Sequence, residues 1–115
     1  MTPAELKDRV LGKLRVLGAG QTAEAEDVFT VNEGYTSVYE QLKDQNLVTW
    51  SLTGDIPDKL ATQIIKMVAY EVSDEFHIPE QRIQRLLIEA DRALDDIRIK
   101  SAPEYVSTHT RVPYF

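Results

Sequence analysis

The sequence contains no cysteine, which rules out disulfides and thiolate metal sites and leaves the redox compartment open. Histidine is nearly as scarce. His77 and His109 lie far apart, and neither has a ligand at helical spacing, so no metal site is predicted. No apolar run approaches the roughly 20 residues that span a membrane. The opening Met-Thr-Pro-Ala-Glu-Leu-Lys-Asp lacks the basic region and apolar block of a signal peptide, so none is expected. No serine lies in a Gly-x-Ser-x-Gly elbow. Gly18-Ala19-Gly20 follows a predicted helix and lacks a third glycine, so it is no phosphate loop. Basic residues are outnumbered, 13 against 19 acids, for a net charge of −6. That balance argues against general nucleic-acid binding, in which Lys and Arg neutralise phosphates, but not against a surface that DNA slides past.

What is present suffices for one domain. The 115 residues are 43% apolar and 28% charged, which fits a soluble globular chain with a modest core. There are no internal repeats, no low-complexity segments and no dividing linker.

Thr2-Pro3-Ala4-Glu5 is a helix start, with Thr2 as cap, Pro3 at the first position and Glu5 completing a capping box. Leu6, Val10, Leu14 and Leu17 continue it to about Leu17, where Gly18-Ala19-Gly20 stops it. A second helix is predicted from near Thr22 to near Asn46, with Ala25, Val28, Asn32, Tyr35, Tyr39 and Leu42 as its apolar stripe. Its first turn is acidic, through Glu24, Glu26 and Asp27, as the helix dipole favours. Gly34 within it marks either a close helix crossing or a tolerated defect. Leu47 to Leu52 is rich in β-favouring residues, so residues 47–55 form a short strand, a hairpin or an extended connector. A strand there would need a partner, such as a neighbouring subunit. Thr53-Gly54-Asp55 is turn chemistry. A third helix is expected from Ile56-Pro57 to about Phe76, burying Leu60, Ile64, Met67, Val68 and Val72. After His77-Ile78-Pro79, a fourth runs from Pro79 to Lys100, with Ile83, Leu86, Leu87, Ala90, Leu94 and Ile97 on one stripe. Four helices with short joints predict an all-α, antiparallel four-helix bundle over residues 1–100.

Candidate chemistry is sparse. Asp91 and Asp95 share a helix face and suit an acid/base dyad or a cation site. Arg92, Arg98 and Lys100 lie within reach, however, and favour a solvated charged face. Glu71, Asp74 and Glu75 invite the same comparison, and as acids at a helix C-terminus they oppose the dipole, which a basic partner would offset. A hydrolase would draw on either group. No catalytic residue, metal ligand or cofactor site is assigned. His77 suits a helix C-terminus, and Trp50 is either core or an interface anchor.

The sharpest signal is residues 101–115. Ser101-Ala102-Pro103 breaks the helix, and no period follows. Termini that bind nothing are usually polar. This one carries Pro103, Tyr105, Val106, Arg111, Val112, Pro113, Tyr114 and Phe115. Each aromatic can bury about 150–250 Å² on a partner, and extended, the segment could reach roughly 50 Å. It is therefore predicted to be a docking arm rather than a frayed end, adding a strand to a neighbour or filling its pockets.

The order of these parts resembles the head-completion proteins of tailed bacteriophages, the head-to-tail adaptors or connectors that include the packaged-DNA-stabilisation proteins of the P22 group. The resemblance rests on the first helix with Leu14-Arg15-Val16-Leu17-Gly18-Ala19-Gly20 and on the acidic start of the second. It extends to the helix ending before Val48-Thr49-Trp50, the helix opening with Ile56-Pro57, the stretch Ile88-Glu89-Ala90-Asp91-Arg92-Ala93-Leu94, and the C-terminal arm. It covers most of the chain through layout and short motifs. It implies a structural protein made in the host cytoplasm and built into the virion neck. Such a protein forms a ring, twelvefold like the portal, and grips the portal protein through Pro103 to Phe115. It seals packaged DNA, which passes the channel without specific binding, and offers a platform to a downstream tail or stopper component. Val48, Trp50 and Leu52 would then face the tail or a neighbouring subunit. The other class is a small acidic regulator, a DNA mimic, binding one partner through its arm.

Overall fold

One helix of this chain has almost no polar side to offer water. Between Ala61 and Glu71, residues Ala61, Gln63, Ile64, Met67, Val68 and Ala69 are all buried, so the segment has to be enclosed by its neighbours. A computed structural model, which describes residues 1–15 and 24–101, places it at the centre. Among these residues there are four α-helices and no strand: α1 Pro3–Lys13, α2 Ala25–Asp44, α3 Ala61–Glu71 and α4 Glu80–Lys100. The 3-10 turns Asp58–Leu60 and Ser73–Phe76 flank α3, which packs against each of the other three helices.

Long-range bonds fix the helix directions. Met1 and Ile56 exchange two bonds, Ile56 N–H donating to Met1 O at 2.7 Å and the Met1 ammonium to Ile56 O at 3.0 Å. The same ammonium contacts Asp58 at 2.9 Å, which holds the Asp58 carboxyl below its ordinary range. The starts of α1 and α3 therefore lie together. Lys59 and Lys100 each donate to the other's carbonyl, so α4 ends where α3 begins. Arg98 donates to Gln45 Oε1, bringing the end of α2 to the same place. At the opposite end, Arg82 donates to the Lys13 and Leu14 carbonyls, and Lys13 pairs with Glu89 at 3.0 Å. The helices thus alternate in direction, which is the predicted antiparallel bundle.

The helix ends have local causes. At α1 the capping box is in place: Glu5 N–H donates to Thr2 Oγ1 at 3.2 Å and Thr2 N–H to Glu5 Oε1 at 3.3 Å. These bonds lower the Glu5 pKa. The helix closes at Lys13 rather than Leu17, with Arg15 left-handed at φ 61° and Arg82 satisfying the last carbonyls. Leu17, Gly18-Ala19-Gly20 and Thr22 lie outside the described residues. The end of α2 is a Schellman motif: Asn46 is left-handed, Leu47 N–H donates to Leu42 O at 2.9 Å, and Asn46 N–H to Lys43 O at 3.0 Å. The sequence predicts a third helix from Ile56-Pro57 to about Phe76. The α-helix instead stops at Glu71 and tightens to a 3-10 turn, with Ser73 Oγ donating to Tyr70 O at 2.8 Å and His77 left-handed. The segment 47–55 is a connector rather than a strand, closed by a turn in which Gly54 N–H donates to Ser51 O at 3.0 Å.

Two buried stripes differ from expectation. Residues Val31, Gly34, Tyr35, Val38, Tyr39 and Leu42 of α2 are buried, whereas Ala25 is exposed and Val28 and Asn32 are only half-buried. The register turns because Gly34 faces α3. A Cβ built on Gly34 would overlap Cγ1 of Val72, so the lack of a side chain lets the two helices meet. On α4, Leu86, Ala90, Ala93 and Ile97 are buried, but Leu87 is 39% exposed. This helix rests mainly on α3, and one neighbour covers only a narrow stripe.

Gly34→Ala tests the crossing. Alanine would gain about 1 kcal/mol of helix propensity, but overpacking against buried Val72 costs about 1–3 kcal/mol. A net loss of stability is expected in urea unfolding. Val72→Ala should cost less in the Gly34→Ala background than alone. Equal or higher stability of Gly34→Ala would show that the crossing needs no glycine.

Candidate functional site

The three residues of the connector with candidate roles, Val48, Trp50 and Leu52, are half-buried and packed against the core. Trp50 is tied down twice. Its indole N–H donates to Tyr35 Oη at 3.0 Å, and its carbonyl accepts from Tyr39 O–H at 2.7 Å. The Tyr39 ring stands edge-on to both Tyr35 and Trp50, with centroids 6.2 and 6.1 Å away. Burial raises the Tyr35 phenol pKa, and the Trp50 N–H partly offsets this. Trp50 is thereby an inward anchor that fixes the connector. Leu52 reaches a hollow of about 270 Å³ shared with Pro3, Asn32 and Tyr35.

The candidate carboxylates divide. Asp91 and Asp95 are exposed on α4, and Asp95 pairs with Arg98 at 3.2 Å, so they belong to a solvated face. Glu71 and Glu75, by contrast, meet a residue that the sequence reading did not single out. Together with Glu33 they line a groove of about 430 Å³ over the α2/α3 crossing, with Gly34 and Val72 at the crossing itself and Phe29 alongside. Phe29 is 62% exposed. Its position off the helical stripe of α2 was the only sequence signal. The opposition of Glu33 to Glu71 depends on the fold. Among the described residues none of these three glutamates forms an ion pair.

A second outward surface lies on α4. Ile88 is 52% and Ile99 72% exposed, and exposed Arg85 and Arg92 share the side of the helix with them, at steps of three, four and seven. Among the described residues, no three acids and histidines gather as metal ligands, and no helix is long and apolar enough to cross a membrane. His77 is exposed at the left-handed end of its turn. His109 and the arm residues Pro103, Tyr105, Val106, Arg111, Val112, Pro113, Tyr114 and Phe115 lie outside the described residues.

Because Trp50 is the only tryptophan, its fluorescence reports on the connector. Tyr39→Phe should shift the emission and cost about 0.5–1.5 kcal/mol. Wild-type emission and stability should hold through neutral pH. A raised folded-state pKa for Tyr35 gives stability that is complete below the unfolded value and lost as pH rises through the folded one. The alkaline loss should therefore shrink in Tyr35→Phe. Identical alkaline transitions in the two proteins would contradict this coupling.

No protein-family model matches the chain, and no curated protein or solved structure matches it at a significant level.

Proposed function

We propose that this chain is a head-to-tail adaptor of a tailed bacteriophage, a structural protein of the virion neck that forms a ring beneath the portal. The observation that carries the proposal is the order of parts in the sequence: four helices with short joints, followed by an aromatic-rich arm. The bundle gives that arm a defined origin, since Ser101 ends α4 beside the start of α3. Residues Pro103 to Phe115 would grip the portal, and the ring would carry its twelvefold symmetry. Packaged DNA would pass through the ring, and a tail or stopper component would bind its far side. A net charge of −6 suits such a channel, because an acidic wall repels phosphate and lets DNA move without sticking. The role is mechanical and needs neither catalysis nor a cofactor.

One feature favours a second role. The groove lined by Glu33, Glu71 and Glu75 beside exposed Phe29 suits a basic partner, as in a small acidic regulator or DNA mimic. Such a protein would bind one partner and would not add to a portal as a ring.

Mixing the full chain with the portal protein encoded in the same genome distinguishes the two. The expected complex has one copy per portal subunit, and a chain ending at Ala102 fails to bind. Binding by the shortened chain would move the grip to the helical body. No binding by the full chain would overturn the adaptor role.

A further inference from the structure

Two surfaces of this molecule match each other in charge and in apolar character. The groove over the α2/α3 crossing presents Glu33, Glu71 and Glu75 around an exposed Phe29. The outer side of α4 presents Arg85 and Arg92 around an exposed Ile88. Among the described residues, neither the three glutamates nor the two arginines form ion pairs within the chain. We propose that the acidic groove of one copy receives the outer face of α4 of a second copy.

Spacing supports the match. Glu71 ends α3, Glu75 lies in the 3-10 turn that follows it, and Glu33 lines the groove from α2. Arg85 and Arg92 are two turns apart, roughly 10 Å along α4, with Ile88 between them. An α4 lying in the groove would place one arginine toward each end and Ile88 over Phe29. Arg98 takes up Asp95, while Asp91 and Asp96 flank the face and confine its positive part to the stretch 85–92. Arg82 plays no part, because it is spent on the α1 carbonyls.

The symmetry of the contact follows. Groove and helix face are different surfaces, so the contact is heterologous and leaves one of each free on every pair. Copies then add head to tail and close into a ring if the rotation permits. For that closure the inference rests on the adaptor ring proposed above; the contact itself is independent of any portal. Largely electrostatic, it weakens with salt.

The absence of cysteine makes the test clean, since an introduced thiol has no competitor. Copies carrying Thr30→Cys in the groove, next to Phe29, are mixed with copies carrying Gln84→Cys or Ile88→Cys on α4, and oxidised without any portal. Disulfide-linked heterodimers are expected in excess over either variant alone and over a control thiol at Asp8→Cys, exposed on α1. Glu71→Arg on the groove copy should lower the yield about tenfold, and Arg92→Glu on the α4 copy should restore it. Circular dichroism of each variant confirms that the bundle persists. Mixed pairs that link no better than the controls overturn the contact, as does a yield indifferent to both reversals. Linking without portal binding would keep the contact and discard the adaptor; portal binding without linking would do the reverse.

Discussion

The structure depends on enclosing α3. A segment with Ile64 and Val68 fully buried on one side and Ala69 on another cannot lie on a surface, so three other helices must surround it. The α2 contact is close because Gly34 has no side chain where Val72 arrives. The same approach sets the α2 register, puts Tyr35 and Tyr39 inward, and gives Trp50 the two bonds that hold the connector. Packing at one crossing is thereby transmitted to a loop some distance along the chain.

Polar groups do the rest of the positioning, mostly at helix ends. Arg82 closes α1 from α4, Arg98 ties α4 to the end of α2, and the Met1 ammonium pins the start of the chain beside Asp58. Such bonds are individually modest and largely exposed. Their value lies in direction, since together they specify which ends meet. The outer surfaces are left unmatched within the chain: an acidic groove with an exposed aromatic on one side, and an arginine-flanked isoleucine on another. The proposed contact pairs these surfaces between two copies.

Much of the bundle was legible in the sequence because its signals are local. Thr2 and Glu5 are three residues apart and found each other, and the stripe Leu60, Ile64, Met67, Val68 and Val72 needed only the helical period. Signals depending on contact between distant segments were not legible. The α2 stripe is legible at Tyr35, Tyr39 and Leu42 but not at Val31, Gly34 and Val38, because the approach of Val72 to Gly34 decides the rest. The end of α1 was placed too far along because Arg82 closes it. Leu87 fits the α4 period as well as Leu86 does, yet only Leu86 is buried. Glu71 and Glu75 stood out in the sequence as a pair of acids, but Phe29 and Glu33 join them only once α2 is laid across α3. The candidate arm at 103–115 remains a statement about sequence.

The most direct test of the proposed role is a count of copies in purified phage particles made from the genome that encodes the chain. Quantitative mass spectrometry against the portal protein should give one copy per portal subunit, retained in particles that have been filled with DNA but lack tails. Absence of the chain from filled heads, with portal protein present in its usual amount, would contradict an adaptor in the virion neck.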